Sequence, residues 1–299
     1  VKLAVVDLID VTTTNRNREL QQIKVLCDMM EIEFLEFPVN VLPVNDWFDS
    51  NTVCIVRGSV KTRKMWLNKV TEMEHRGCTM VNTRDCLELC NDKYRCYLAL
   101  ERAGLNQPKT VLVPSEYDNL IDYVIAEAEL EYPLVLKTLE GSYGVGVALM
   151  ESPMGLKGVI QAMNTKLDWD GALLQKYLPH EFDIRAHVLD GKVIGSMKRT
   201  PPKGDFRTNI ARGGTGETIE LTDLEIEHCL KAADAVNARW CGVDFIPSAV
   251  NRANYAPRII EVNAAPETGG IEAALAGKED TNFAPLLTEI IRHFRDIHG

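Results

Sequence analysis

No run of about 18 consecutive apolar residues occurs in the sequence, so a membrane-spanning helix is not expected. A signal-peptide pattern is missing too. Val1–Val6 is apolar, but Asp7 and Asp10 interrupt it and no small-residue cleavage site follows. Cysteine occurs eight times, yet never as Cys-x-x-Cys, and no histidine cluster stands beside a cysteine at zinc-ligand spacing. A local zinc site is therefore excluded, and reduced, core-packed thiols in a cytoplasmic protein are expected. Positive charge is in deficit, with 33 Lys+Arg against 43 Asp+Glu and a net charge of −10. Such a chain lacks the broad positive field that sequence-independent nucleic-acid binding requires. Repeats and low-complexity segments are absent. The 299 residues, 45% hydrophobic and 25% charged, have ordinary globular composition, enough for two or three structural units.

What is present alternates first in one way and then in another. Lys2–Leu8, Glu33–Phe37, Val53–Val56 and Thr79–Val81 read as short strands, separated by helical patterns over Arg16–Glu31 and Thr62–His75. That alternation argues for a small parallel α/β sheet over residues 1–90. From Asn91 a helical stretch runs to Gly104, and Thr110–Val113 and Pro133–Lys137 read as strands around a helix over Ser115–Leu130. The second half carries antiparallel signals: strands Leu173–Tyr177, Phe182–Leu189 and Val193–Lys198, the last two joined by Asp190-Gly191. Thr222 and Glu225 fit a capping box opening a helix to about Val236. Strands Cys241–Ile246 and Arg258–Val262 follow, and Leu286, Leu287, Ile290, Ile291, Phe294 and Ile297 make an apolar stripe on a terminal helix. The expected fold class is α/β followed by α+β, in units 1–90, 91–178 and 179–299.

Four constellations carry chemistry. Gly242-Val243-Asp244-Phe245-Ile246 and Ile259-Ile260-Glu261-Val262-Asn263 are strands that set Glu261 and Asn263 on one face. If the strands pair, Asp244, Glu261 and Asn263 converge as oxygen ligands of the kind hard cations take. Plain alternation with polar residues facing water is the competing reading. Lys137 ends an apolar strand before Glu140–Gly146, where glycines let backbone N–H groups approach a ligand; the segment is neither a Walker A loop nor a G-x-G-x-x-G turn. Along Phe182–Val188, Asp183, Arg185 and His187 share one face, which offers an arginine for bidentate contact with carboxylate or phosphate. His187 reads as a packed neighbour rather than a general base. Finally, Lys198, Arg199, Lys203 and Arg207 fall within ten positions of an acidic chain, a cluster suited to charge on a polyphosphate.

The order of these pieces is more telling than any one of them. Asn91-Asp92-Lys93, Val135-Leu136-Lys137, Leu174-Gln175-Lys176-Tyr177-Leu178, Asp183-Ile184-Arg185, Gly204-Asp205-Phe206-Arg207-Thr208-Asn209, Arg212-Gly213-Gly214, Gly242-Val243-Asp244 and Glu261-Val262-Asn263 follow in turn. This series resembles the ATP-grasp superfamily, and most closely its RimK-type branch of amino-acid ligases. The resemblance runs from Asn91 to the C-terminus and extends loosely to Val56-Arg57-Gly58. It implies a fold holding ATP between two α+β subdomains behind an N-terminal α/β domain. It further implies that Lys93 and Lys137 contact phosphates and that Ser142, Gly144 and Gly146 belong to a mobile flap. Lys176 and Tyr177 would hold adenine through their backbone, and Asp183 the ribose. Arg207, Thr208 and Asn209 would lie at the γ-phosphate and acyl group, with Arg207 and Asn209 catalytic. Asp244, Glu261 and Asn263 would bind two Mg²⁺ (or Mn²⁺) ions, and Arg57, Arg185 and Arg199 the substrate carboxylates. One departure stands out: Lys176 occupies the place of a glutamate in the family pattern, which changes side-chain charge at the nucleotide edge.

The activity this implies is ATP-dependent amide formation through an acylphosphate. An amino acid such as glutamate would join a peptide, protein or small-molecule carboxylate, with neither nucleic acid nor membrane as partner. Whether the chain is a homo-oligomer is left open. The alternatives are a dipeptide- or glutathione-like synthetase and a non-catalytic nucleotide-binding regulator.

Overall fold

The computed structural model describes residues 1–8, 14–58, 60, 64–114, 120–141, 144–166, 171–210, 213–276 and 284–298. Within them the N-terminal part is a parallel sheet of β1 (Lys2–Asp7), β2 (Glu33–Pro38), β3 (Thr52–Val56) and β4 (Thr79–Val81), in the order β2-β1-β3-β4. Helices α1 (Thr14–Met29) and α2 (Lys64–His75) cross between its strands. Strand β3 is buried along its whole length, as expected of a parallel strand covered on both faces.

Helices α3 (Arg84–Asn91) and α4 (Lys93–Arg102) meet at Asp92, whose side chain accepts from the N–H groups of Tyr94 and Arg95. That cap sets Lys93 at the first helical position of α4. The central sheet follows, with β5 (Thr110–Pro114), β6 (Leu134–Thr138), β7 (Val147–Met150) and β8 (Gly171–Lys176) in the order β5-β8-β6-β7. It is antiparallel and covered by α5 (Ile121–Glu127) and α6 (Pro153–Lys166). The C-terminal sheet, also antiparallel, contains β9 (Asp183–Leu189), β10 (Lys192–Thr200), β11 (Thr215–Thr218), β12 (Trp240–Ile246) and β13 (Arg258–Asn263), in the order β11-β10-β9-β12-β13. Helix α7 (Asp223–Ala235) opens on the Thr222/Glu225 capping box expected from sequence. Helices α8 (Gly269–Ala276) and α9 (Pro285–His298) close the described chain.

The parallel sheet followed by antiparallel sheets agrees with the expected fold class, but several elements escaped sequence reading. Helix α6 contains Gly155 and Gly158, each costing about 1 kcal/mol against alanine in a helix, so its pattern is blurred. Strand β11 is exposed throughout, has no apolar alternation, and exists because it pairs with β10. Residues 115–119 of the expected Ser115–Leu130 helix lie outside the described residues, as do 62 and 63 of the expected Thr62–His75 helix.

The packing groups the sheets unequally. Ala4, Val6, Cys54 and Val56 share one core with Ile184, Ala186, Val188, Val243 and Phe245, and Cys96, Leu100 and Leu105 of the α4 region join it. The central sheet keeps a separate core with α5 and α6. On the other face of the parallel sheet, Leu3, Val5, Val53 and Ile55 pack with Leu287, Ile290, Ile291 and Phe294 of α9, each side chain contributing about 1.5–3 kcal/mol by burial. Asn82 is a further tie. Its amide donates to the carbonyls of Trp240 and Ala264, both at 2.6 Å, and its carbonyl accepts from the N–H of Arg239 at 2.7 Å. No helix among the described residues is long and apolar enough to cross a membrane.

Candidate active site

Strand register builds the polar face of the C-terminal sheet. Asp183 pairs with Arg199, Arg185 with Asp244, Asp244 with Glu261, and Gly242 with both His187 and Asn263. Directly opposed residues project to the same side. One face therefore carries Arg199, Asp183, Arg185, His187, Asp244, Glu261 and Asn263. A register shift after Asp244 leaves one extra residue on β13, a bulge of the kind that re-aims side chains. A Cβ at Gly242 would stand 3.4 Å from Cδ and Nε of Arg185, so glycine leaves that arginine room to reach Asp244.

The charges on this face are arranged as a chain. Arg185 donates to Asp244 through Nε and Nη2, both at 2.6 Å. Arg199 donates to Asp183 through Nε at 2.8 Å and Nη2 at 2.6 Å, and its Nη2 lies 3.0 Å from Asp244 Oδ2. Thr208 Oγ1 donates to Asp183 Oδ2 at 2.6 Å. Although burial alone raises a carboxyl pKa, the Arg185 and Arg199 charges hold Asp244 down to about 2. His187 is fully buried, and burial together with Arg185 pushes its pKa down to about 3, so the ring is neutral. It lies beside Trp240 with ring centroids 6.4 Å apart, and neither ring nitrogen finds a hydrogen-bond partner among the described residues.

Across from this face stand the lysines of the central sheet and α4. Lys137 stands one residue before the end of β6 at 8% exposure, and its ammonium makes no hydrogen bond among the described residues. Burial lowers its pKa, and so does the charge of Lys93, while Glu261 and Asp244 act the other way. Burial likewise lowers the pKa of Lys93 against the pull of Glu261 and Glu140. These two cations thus stand near Glu261 and Asp244, and Asp244 is already engaged by Arg185 and Arg199, a setting that favours an added polyanion.

The described residues between β6 and β7 are held from two sides. Gly146 has φ +73°, and a Cβ there would fall 2.3 Å from Thr138 Oγ1, so only glycine fits. Lys93 Nζ donates to Gly141 O at 2.9 Å. From the other side Arg207 Nη1 donates to Gly144 O and Val147 O, each at 3.3 Å. Tyr177, just past β8, meets Phe206 edge-on at 5.9 Å between ring centroids. Lys176 closes β8 with its side chain exposed and its N–H on Lys109 O at 2.8 Å. Thr208 is buried and Asn209 half-buried. Ser142 and Arg212 lie outside the described residues.

Four of the expected residues are paired within the protein. Arg57, Arg185 and Arg199, expected at substrate carboxylates, are engaged by carboxylates of the protein. Arg57 donates to Pro266 O at 2.7 Å and its Nη2 lies 2.6 Å from Glu19 Oε1. Asp183, expected at a ribose, is buried under Arg199 and Thr208. The reason is common to all: a buried charge without a counterion costs several kcal/mol, so each has taken the nearest opposite charge. The sequence gives no role to Glu19, and Asp205 stands in the Gly204–Asn209 run without one. An acid two residues before an arginine was a visible signal for Asp205; for Glu19, remote from Arg57 in sequence, there was none.

The oxygen set fits a divalent cation. Among the described residues no trio of His, Cys, Asp and Glu gathers as a metal site; the set here is two carboxylates and an amide. Asn263 Nδ2 donates to Glu261 Oε1 at 3.1 Å, which turns the amide oxygen away as an acceptor. Each carboxylate oxygen accepts two bonds. Asp244 Oδ2 has two arginine partners, whereas Oδ1 has one, so Oδ1 keeps a free lone pair.

A model of the RimK-like ATP-grasp domain matches residues 90–287. The chain belongs to the RimK-like ATP-grasp family. A probable alpha-L-glutamate ligase of Thioalkalivibrio sulfidiphilus is 37% identical over 210 residues, covering 68% of this chain and 65% of that protein. A probable alpha-L-glutamate ligase of Marinomonas sp. is 36% identical over 215 residues, covering 70% and 67%. The match to the first of these thus spans just under two thirds of the relative's length. Solved ATP-grasp structures share the fold over nearly the whole chain. The ATP-grasp ligase PsnB complexed with minimal precursor superposes with a TM-score of 0.69 at 17% identity, covering 97% of this chain and 99% of that one. D-alanine–D-alanine ligase from Bacillus anthracis gives 0.70 at 15%, covering 99% and 98%. In this RimK-like chain, the family match begins at Cys90, beside Asp92 and Lys93, and ends at Leu287 in α9.

Proposed function

We propose that this protein is an ATP-dependent ligase that joins a carboxylate to the amine of an amino acid, forming an amide. The observation that carries the reading is the buried ammonium of Lys137. It has no hydrogen-bond partner among the described residues and, beside Lys93, faces Glu261 and Asp244 beneath a glycine turn. A triphosphate would supply counter-charge to those lysines, and Asp244, Glu261 and Asn263 would hold a divalent cation. Glutamate is the first candidate for the amino acid, because the curated relatives include probable alpha-L-glutamate ligases.

A carboxylate is a poor acyl donor because its leaving group would be an oxide. One of its oxygens attacks the γ-phosphorus of ATP, the bond to ADP breaks, and an acylphosphate forms. The amine then attacks the acyl carbon, phosphate leaves with the electron pair, the nitrogen gives up a proton to the departing phosphate or to water, and the amide remains. Bound Mg²⁺ offsets charge on the phosphoryl group. In this scheme Lys93 and Lys137 bind phosphate oxygens, and Arg207 and Asn209 stand at the transferring group. Backbone groups of Lys176 and Tyr177 hold the adenine edge, and the glycine turn excludes water. Eight free cysteines suit the reducing cytosol, where we place the protein.

The test is incubation with Mg-ATP and pools of amino acids, glutamate included, together with peptides and small carboxylic acids. Release of ADP that depends on the amino acid, accompanied by a new amide mass, supports the ligase. ATP binding with no such release across broad pools refutes it and favours a nucleotide-binding regulator.

A further inference from the structure

The loop 204–209 does more than supply an arginine to the phosphates. Arg207 carries five N–H donors in one rigid plane. Asp205 takes the Nε edge: Nε donates to Oδ1 at 2.9 Å and Nη2 to Oδ2 at 2.7 Å. The backbone N–H of Arg207 also donates to Asp205 Oδ1 at 2.9 Å, so acid, loop and guanidinium form one closed unit. Both donors of Nη1 go to the flap, on Gly144 O and Val147 O. One N–H on Nη2 is left for a phosphate.

The two flap bonds, at 3.3 Å, are at the long end of the range and depend on the guanidinium being held in orientation. Asp205 is well suited to hold it. Its hydrogen bonds with Arg207 keep its pKa down to about 2, so it is ionised at neutral pH. On the opposite side of the flap, Lys93 holds Leu139 O through its backbone N–H at 3.0 Å and Gly141 O through Nζ. The flap is therefore pinned to the rest of the molecule from both sides, by two cations that the ligase scheme assigns to phosphate.

We propose that Asp205 is a positioning residue: it grips one edge of Arg207 so that the other edge clasps the flap onto the loop between β10 and β11. In the ligase reading, on which this part rests, the clasp keeps water from the acylphosphate until the amine arrives. The clasp itself requires no acceptor and is measured without one.

The experiment is hydrogen exchange of the backbone amides at residues 144–147, with and without Mg-ATP, in the full chain and in Asp205→Asn, Asp205→Glu and Arg207→Lys. Loss of the clasp in Asp205→Asn raises exchange there by about tenfold, with ATP affinity changed by about threefold or less. Asp205→Glu restores part of the protection, and Arg207→Lys, which keeps the charge but loses the fork, raises exchange at 144–147 as Asp205→Asn does. In turnover, Asp205→Asn releases several-fold more phosphate per amide formed, a loss of coupling that a merely structural residue does not cause. Unchanged exchange at 144–147 in those of Asp205→Asn and Arg207→Lys that keep the wild-type melting temperature overturns the proposal. Absence of ligase turnover in the wild type refutes the proposed function instead, and the exchange result still decides the clasp.

Discussion

Replacing Arg199 with methionine removes one guanidinium and leaves two buried carboxylates short of a partner. Arg199 is 3% exposed, Asp183 7% and Asp244 3%. Breaking a buried pair from one side costs about 3–5 kcal/mol, because the remaining charge is uncompensated. Asp244 keeps both bonds to Arg185, and Asp183 keeps the hydroxyl of Thr208, so the lower end of that range applies, about 3 kcal/mol. For a chain of this size the melting temperature falls by about 2 °C per kcal/mol, or roughly 6 °C in all. The assay is thermal unfolding of wild type, Arg199→Met, Asp183→Asn and the double variant at pH 7. Neutralising Asp183 removes the stranded charge, so the double variant recovers at least about 1 kcal/mol relative to Arg199→Met. A fall of less than about 2 °C in Arg199→Met, or no recovery in the double variant, refutes the charge chain as an interdependent unit.

Other expectations follow from the same geometry. Lys137→Met weakens Mg-ATP binding by about 30–100-fold, or 2–3 kcal/mol. It also raises the melting temperature, since an ammonium with no hydrogen-bond partner among the described residues is no longer buried; calorimetric titration and thermal unfolding read the two effects. Gly146→Ala places a Cβ 2.3 Å from Thr138 Oγ1 at φ +73°, so the flap turn must shift. Ligase turnover then falls by about tenfold or more, while the melting temperature moves by only a few degrees. His187, with a folded pKa of about 3, binds its proton in the unfolded chain first, at about pH 6.5. Stability therefore falls as pH drops from about 6.5 toward 3. His187→Phe flattens that decline, measured as urea midpoints at pH 7 and pH 5.

Much of this protein was readable before any coordinates. The apolar alternation of β1, β3, β9, β12 and β13, the Thr222/Glu225 box and the stripe on α9 are local patterns. Local energetics and one buried face are enough to dictate them. The order of Lys93, Lys137, the Gly204–Asn209 run, Asp244 and Glu261-x-Asn263 was likewise readable, and the fold it implied agrees with the family match. Elements with no pattern of their own were not readable. Strand β11 is polar throughout and is a strand because β10 offers it an edge. Helix α6 is blurred by its glycines.

Composition and pattern alone determined that this is a globular, acidic α/β and α+β chain with cations and oxygen ligands in a fixed linear order. Tertiary structure decided which charges meet. Arg57, Arg185 and Arg199 looked equally available for a substrate along the sequence. Packing paired them with Glu19, Asp244 and Asp183, because a desolvated charge takes the nearest opposite one, whatever its distance along the chain. Among the described residues, packing also left the Lys137 ammonium buried without a hydrogen-bonded counterion, an imbalance invisible in any linear pattern.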